Sequence, residues 1–334
     1  MMTRHEKVSR RGLLAAGTGL LGVAAVAGRA RGEAEAWPSR PVRILMGFGA
    51  GGVTDVAIRL MAEALRPRLP QPIVIENRPG ASGMLATGVA ARAAPDRHLL
   101  IAIPGTITIV PSAMRNLPID VLKDLEPITL FATSPNVMVV NPSFPARTVA
   151  EFIAIVRMRP AEDIAYASSG IGTTVHFMAG MLERAANIRM RHVPYKSSNE
   201  SIQAVMAGDL PVVFSSINSA LPHIQSGAVR ALAVASERRT DFLPEVPTFE
   251  EAGIPGVRSE TWFGLAGPTG LPRPLVERIA TLFGQAIHEP WVRSRLAALG
   301  AEPVGLGPDA FRELMRREVD EFRDLAAAMG IEPQ

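Results

Sequence analysis

The sequence predicts a mature chain of two α/β domains that follows an export signal. Two observations predict this fold: short β-rich runs alternate with helix-periodic segments in both halves, and each half places a glycine-rich loop between a strand and a helix. A chain of 334 residues with 47% hydrophobic content can also bury cores of the size that two domains require.

The first half of the mature chain reads as strand, helix, strand, helix, strand. The strands are expected at 42–48, 73–76 and 99–103. Apolar residues at helical spacing from Ala57 to Leu65 predict the first helix, and small residues over 81–94 predict the second. This order predicts a parallel sheet covered by helices.

The second half repeats the alternation. Strands are expected at 136–140, 164–167 and 190–193, with helices at 149–157 and 173–186 between them. Farther on come a strand at 262–266, an amphipathic helix from Leu275 to Ile287 and a last helix from Pro308. Capping boxes predict helix starts at three places: Thr148 with Glu151, Ser197 with Glu200, and Thr248 with Glu251.

Residues 1–36 have the pattern of a secretory signal of the twin-arginine type. Arg10 and Arg11 precede a small, apolar run, and Ala34 to Ala36 form a small-x-small cleavage signal. These residues carry a net charge of +3, the same as the whole chain, so the mature part is formally neutral. The high isoelectric point therefore does not predict a polyanion partner. A permanent N-terminal anchor is the alternative.

Composition excludes several classes of function. The chain has no cysteine, so disulfides, thiolate metal sites and cysteine nucleophiles are excluded. Six histidines show no metal-ligand spacing, and only 5% of residues are aromatic, which disfavours single-stranded nucleic acid. We expect no metal, no cofactor and no nucleic acid.

The loop MGFGAGGVTD, Met46 to Asp55, leaves two interpretations open. Its glycines fit the dinucleotide pattern GxGxxG, and Glu76 ends the next strand where a ribose ligand would fall, which predicts an exported Rossmann oxidoreductase that uses NAD(P). A second loop, SSGIGTT from Ser168 to Thr174, also joins a strand to a helix. Two such loops facing each other across a cleft would hold a small acid at both ends by backbone N–H groups and helix dipoles.

Three polar residues near these loops have plain structural interpretations. Asp55 is expected to favour the helix dipole as a capping residue, with general acid or base as the alternative. His176 is expected to pack or to brace its loop rather than to catalyse. Lys196 is expected to be a solvated lysine, or else a point charge for a carboxylate.

From Trp37 to Pro333 the chain resembles the substrate-binding proteins of tripartite tricarboxylate transporters, the Bug family. The resemblance is carried in order by WPSRPVRILMGFGAGGVTD, VIENRPGASG, ARAAPD, VVNPSFPARTVAEFI, YASSGIGTTVHFMAGML, HVPYK, SALPHIQSGAVRALAVAS and LAALGAEPVG. It implies a type II periplasmic binding-protein fold, two α/β domains with a ligand cleft between them. Domain 1 would comprise 37–139 and 261–334, and domain 2 would comprise 140–260. The crossing segments near 136–142 and 260–266 are the expected hinges.

The resemblance also implies a site. The ligand would be a small carboxylate held by backbone amides, hydroxyls and waters. The implied binding residues are Phe48, Gly51, Gly52, Thr54, Asp55, Ser168, Ser169, Gly170, Gly172, Thr173, His176, Tyr195, Lys196, Ser215 and Ser216.

The first loop departs from the family's usual PFAPGGGTD, with Gly47 and Ala50 in place of prolines and Val53 in place of glycine. After Phe214 the family often has an aspartate, where this chain has Ser215 and Ser216. Loss of that carboxylate argues against an amino-acid ligand.

The expected function is therefore a monomeric periplasmic receptor, not an enzyme. It would capture a small carboxylate and deliver it to membrane transporter subunits, with closure driven by tighter binding to the closed state. The oxidoreductase is one alternative, and a receptor used for sensing is the other.

Overall fold

The structure is a computed structural model that describes residues 37–331. The predicted signal in residues 1–36 lies outside the described residues. No helix in the described part of the chain is long and apolar enough to cross a membrane.

Ten strands and ten α-helices are defined within residues 37–331. The strands are β1 (Val42–Met46), β2 (Ile73–Asn77), β3 (Leu99–Pro104), β4 (Leu125–Val140), β5 (Ala165–Ser168), β6 (Arg191–Pro194), β7 (Val212–Ser216), β8 (Arg230–Val234), β9 (Glu260–Pro268) and β10 (Glu302–Leu306). The helices are α1 (Val53–Leu65), α2 (Met84–Ala91), α3 (Thr106–Ala113), α4 (Val149–Arg157), α5 (Thr174–Ala186), α6 (Ser198–Ala207), α7 (Ile217–Gln225), α8 (Arg273–Ile287), α9 (Pro290–Ala297) and α10 (Pro308–Ala328).

The strands form two α/β halves that share β4. In the first half the strand order is β2-β1-β3-β9-β4, and β10 also pairs with β4. In the second half β4 pairs with β7 and β8, and the sheet continues through β5 to β6. Mixed α/β halves around one crossing strand agree with the predicted fold class.

The prediction of parallel pairing is right for β1 with β2 and β3, and for β5 with β6 and β7. The strands between these groups, for which the sequence predicted no pairing, are antiparallel: β9 runs antiparallel to both β3 and β4, and β4 runs antiparallel to β7. The chain thus passes between the halves on antiparallel strands.

These strand directions place the carboxyl-terminal edges of the two sheets opposite each other. Since β3 and β4 are both antiparallel to β9, β4 leaves the first half at the edge where β1 to β3 end. It enters the second half at the edge where β5 to β7 end, because Asn136 pairs with Ser216. Pro104, at the end of β3, pairs with Phe263, which also pairs with Ala132 of β4. Along β4 the first edge therefore lies at Ala132 and the second at Asn136, a separation of four residues or ~13 Å.

Helix α10 belongs to the cores of both halves. Phe311 and Met315 pack beneath the first half, whereas Phe322 and Leu325 pack in the second half beside α5. The last helix therefore joins the two halves on the side that α3 and α5 cover.

Most predicted elements are present with bounds shifted by one or two residues. The capping boxes at Thr148 and Ser197 start α4 and α6 as expected. The one at Thr248 forms both of its hydrogen bonds with Glu251, but it closes a turn rather than starting a helix. The helix expected over 81–94 is a 3₁₀ turn, Ala81–Gly83, followed by α2.

Candidate functional site

The first glycine-rich loop connects β1 to α1 at the edge that faces the second half. Gly51 has φ +91°, a left-handed conformation that favours glycine. A Cβ on Gly47 would lie 2.5 Å from the Cα of Gly83, so the close approach of these two loops explains why this chain has glycine at that position.

No side chain caps the start of α1. Gly52 precedes the helix in an extended conformation. Within residues 37–331, the N–H groups of Val53 and Thr54 have no hydrogen-bond acceptor. Free N–H groups at a helix start carry partial positive charge, which suits an anion.

Asp55, in the first turn of α1, is only 3% exposed and engages both of its carboxylate oxygens. Oδ2 accepts from the N–H of Gly51 and from Arg59 Nε, each at 3.0 Å. Oδ1 accepts from the terminal nitrogen of Arg59 and from Asn77 Nδ2, again at 3.0 Å. Asn77 also donates to the carbonyl of Phe48 at 3.1 Å. Asp55 therefore ties the loop to α1 and to the end of β2.

Burial alone would raise the pKa of Asp55, but the hydrogen bonds from Arg59, Gly51 and Asn77 outweigh it. The pKa of this carboxyl is held below its usual value, so the group is ionised at neutral pH and needs its partners. Sequence reasoning missed Arg59 and Asn77, although the spacing of Asp55 and Arg59 is that of a helical ion pair.

The second glycine-rich loop connects β5 to α5. Gly170 and Gly172 have φ values of +127° and +72°. The hydroxyl of Thr173 caps α5 by accepting from the N–H of His176 at 3.3 Å and donates to the carbonyl of Gly170 at 2.8 Å. The expectation that this loop leaves its N–H groups free is wrong for Gly170, Gly172 and His176, whose N–H groups are bonded to side chains of the loop and of α5.

Two stacked histidines lie beneath this loop. The rings of His176 and His192 are 4.0 Å apart and nearly parallel, and Tyr166 stacks on the other face of His192. His176 Nδ1 accepts from the N–H of Gly172 at 3.2 Å, and His192 Nε2 lies 2.6 Å from Ser168 Oγ. His176 thus braces its loop, as expected.

Both histidines are uncharged at neutral pH. Burial lowers the pKa of His176 to about 3, with a contribution from His192, and burial lowers the pKa of His192 to about 4. The loop therefore gains shape from this stack without gaining charge. His192 lies in the HVPYK segment but was not among the predicted binding residues.

The remaining predicted residues lie along the same edge of the second half. The N–H of Tyr195, just after β6, donates to the carbonyl of Ser168 at 3.0 Å, and Lys196 beside it is exposed. Ser215 is buried at the end of β7, and Ser216 precedes α7 without capping it. The structure brings these residues to one edge, and their contact with a ligand stays a prediction.

The second loop is connected directly to β4 and to the start of β9, which we call the crossing strands because the chain passes between the halves there. Ser259 Oγ donates to the carbonyl of Thr174 at 3.0 Å and accepts from Asn136 Nδ2 at 2.9 Å. Thr174 Oγ1 also lies 3.2 Å from Thr261 Oγ1. We call Asn136, Thr174, Ser259 and Thr261 the hinge cluster. The partner of β4 changes from β9 to β7 at Asn136, so this cluster marks the passage between the halves.

A cavity of about 1090 Å³ lies elsewhere, beside α10, β10 and the start of β9. None of the fifteen predicted binding residues lines it. Its wall includes Glu260 and Glu318, and burial raises the pKa of each carboxyl to about 7. Glu318 accepts from Trp262 Nε1 at 2.8 Å and from the Thr108 hydroxyl at 2.7 Å. Carboxyl groups outnumber arginines in this lining by six to four, so the cavity suits an anion poorly and we take the facing loops as the candidate site.

The model of the tripartite tricarboxylate transporter family receptor, TctC, matches residues 57–331. The chain belongs to this receptor family. The predicted resemblance is thereby confirmed, and so is the receptor role, whereas the nucleotide interpretation of the first loop gains no support.

Solved structures similar to this receptor include those of three bacterial proteins. The periplasmic binding protein BugD is 30% identical, with 89% of this chain and 100% of that chain covered and a TM-score of 0.72. The Rhodopseudomonas palustris protein Rpa4515, solved with adipate, is 29% identical, with 89% and 100% covered and a TM-score of 0.75. MatC from the same organism, solved with malate, is 30% identical, with 86% and 99% covered and a TM-score of 0.69.

Glu76 was expected to bind a ribose in the nucleotide interpretation, but in this receptor its carboxylate is paired with two arginines. Its carboxylate accepts from Arg43 at 2.5 and 2.9 Å and from Arg78 at 3.1 Å. A surface ion pair of this kind is an ordinary way to end a strand of the sheet.

Proposed function

We propose that this receptor captures a small dicarboxylate between the two glycine-rich loops and delivers it to the membrane subunits of a tripartite transporter. The observation that carries the proposal is the pair of loops at the facing edges of the two halves. Each starts a helix, and the first leaves N–H groups without an acceptor among the described residues. Backbone amides at a helix start bind carboxylates without a dedicated basic side chain.

The electrostatics near the loops do not oppose an anion. The two histidines below the second loop are neutral, and the only charged residue between Gly47 and Asp55 is Asp55, whose charge is paired with Arg59. The ligands adipate and malate of Rpa4515 and MatC are dicarboxylates, and a molecule with a carboxylate at each end suits a site that presents one loop from each half.

This proposal includes ligand contact at the fifteen residues named above, made at Asp55 by the backbone N–H and not by the carboxylate, whose oxygens are taken. The domain boundaries at 139/140 and 260/261 and a monomeric state are also parts of it. So are export by the twin-arginine signal in residues 1–36, residence in the periplasm and the absence of catalysis. The BugD, Rpa4515 and MatC similarities support the receptor fold, and the similarity to the periplasmic BugD supports the location.

A thermal-shift panel followed by calorimetry tests the proposal. The panel contains malate, succinate, adipate, citrate, benzoate, aspartate, glutamate and NADH. We expect one or more plain dicarboxylates to raise the melting temperature, since a ligand at roughly a thousandfold its Kd stabilises the folded state by about 4 kcal/mol.

Three outcomes would contradict parts of the proposal. If no carboxylate at millimolar concentration shifted the melting temperature, the proposal that the ligand is a carboxylate would be contradicted. Preference for aspartate or glutamate would reverse the argument from Ser215 and Ser216. A shift with NADH alone would restore the oxidoreductase.

A further inference from the structure

The first loop presents a carboxylate where the proposed function needs an anion to bind. Asp55 lies in the first turn of α1, among the N–H groups that would receive the ligand's carboxylate. An uncompensated charge at this position would repel the ligand, because two like charges about 10 Å apart at an effective permittivity of ~20 change an equilibrium by roughly tenfold.

Arg59 supplies the compensation from one turn farther along α1. Its guanidinium makes two hydrogen bonds to the two oxygens of Asp55, both at 3.0 Å, in the bidentate geometry that suits arginine. The Asp55 side chain is 4% exposed, whereas Arg59 is 47% exposed, so the arginine shields the carboxylate on its solvent side.

Asn77 fixes the orientation of the pair. Its Oδ1 accepts from Arg59 at 2.8 Å while its Nδ2 donates to Asp55 and to the carbonyl of Phe48. The neighbouring charges are already satisfied, because Glu76 is paired with Arg43 and Arg78. Arg59 is thus the positive charge that balances Asp55.

We infer that Arg59 determines the charge selectivity of the receptor, by cancelling Asp55 so that the first loop accepts an anion. The inference rests on the proposed function, in which this loop holds one end of a dicarboxylate. It treats the side chains of Asp55 and Arg59 as a neutral pair that positions the loop, with neither side chain touching the ligand.

The test compares Arg59→Gln, Asp55→Asn and the double variant by calorimetry with L-malate and adipate at pH 7.5 and low ionic strength. Arg59→Gln leaves Asp55 unpaired, and we expect the Kd for the dianion to rise about tenfold. Raising the salt should shrink this defect, because screening weakens the interaction between charges. Asp55→Asn should bind at least as tightly as the wild type, and the double variant should recover most of the affinity.

Arg159→Gln is the matched control. It removes the arginine of another pair spaced by four residues, Arg159 with Asp163 at 3.0 Å, at the opposite edge of the second half. We expect it to bind like the wild type.

Two results would overturn the inference. A double variant as weak as Arg59→Gln would mean that the pair acts through loop geometry alone, and so would a defect that does not depend on salt. If neither the wild type nor Arg159→Gln bound L-malate or adipate, and no carboxylate of the thermal-shift panel bound either, the proposed function would fail and this inference with it. The two failures are therefore distinguishable.

Discussion

At the scale of single residues, the site is organised by groups that brace the loops and leave the loop backbone for the ligand. Asp55 and His176 were both expected near the ligand, and each accepts a hydrogen bond from a glycine N–H of its own loop. Their chemistry differs, since one is a paired anion and the other a neutral base. The two loops reach the same outcome, a fixed backbone with little net charge, by different means.

The neutral histidine stack predicts a loss of stability in mild acid. The unfolded chain protonates His192 near its ordinary pKa, whereas the native pKa is lowered to about 4 by burial. The unfolded state therefore binds more protons between about pH 6.5 and 4, and the free energy of unfolding contributed by this group falls as the pH falls through that window.

His192→Gln keeps an amide nitrogen near the position of Nε2, so it can still reach Ser168 but cannot titrate. We expect the free energy of unfolding, measured in urea at pH 7.5, 6 and 5, to fall less steeply in the variant. Glu260 and Glu318, with raised pKa values, act in the opposite direction and are common to both proteins. Equal slopes would contradict the prediction.

At the scale of elements, regular periodicity predicted the helices and strands well, and long-range pairing defeated prediction elsewhere. Helix α4 was predicted with its observed bounds because a capping box and an apolar stripe coincide. Residues 125–135 of β4 were missed, since the partner strand β9 lies more than a hundred residues away and prolines interrupt the run. Helix α3 was missed because its threonines, isoleucines and valine favour strands, and packing against α10 decides its structure.

The candidate site was predictable at the same level. The glycine-rich loops were visible as motifs, but Asn77 and His192 reach them from neighbouring strands, which a single sequence does not display. Arg59 was visible only as a helical pair with Asp55.

The left-handed conformation of Gly172 in the second loop allows a test that separates an effect on ligand affinity from an effect on folding stability. Gly172→Ala places a Cβ in a conformation that costs about 1–2 kcal/mol for an L-residue. It should also displace the N–H that contacts His176, so we expect weaker dicarboxylate binding by calorimetry.

Gly208→Ala is the matched control, since Gly208 has φ +86°, an added Cβ would meet no other atom there, and the residue ends α6 away from the loops. It should lose similar stability in urea and keep the wild-type Kd. If both variants bound alike, the second loop would not be part of the site.

At the scale of the whole molecule, two features join the halves: helix α10, which enters both cores, and the hinge cluster at the crossing strands. Three members of the hinge cluster, Asn136, Thr174 and Ser259, are buried and hydrogen-bonded, and buried polar networks of this kind specify one arrangement strongly. The cluster fixes the crossing strands to α5, and therefore to the second loop. We therefore expect the rotation between the halves to occur just before Asn136 and just after Ser259. These are the positions at which the two hinge segments predicted from sequence begin.

Asn136→Ala tests whether the hinge cluster carries the connection between loop and crossing strands. The variant leaves Ser259 Oγ without its donor and the Thr174 end of the network without support, so we expect a loss of about 1–3 kcal/mol in urea unfolding. Hydrogen exchange should rise at 134–138 and 257–261, and also at 172–176 in the second loop, because exchange reports local opening.

Asn141→Ala is the control. It removes a similar amide, bonded to the carbonyl of Val205, and it should raise exchange only near residue 141. Unchanged exchange at 172–176 in Asn136→Ala would mean that the loop and the crossing strands move independently, and closure would then have to be transmitted through α10.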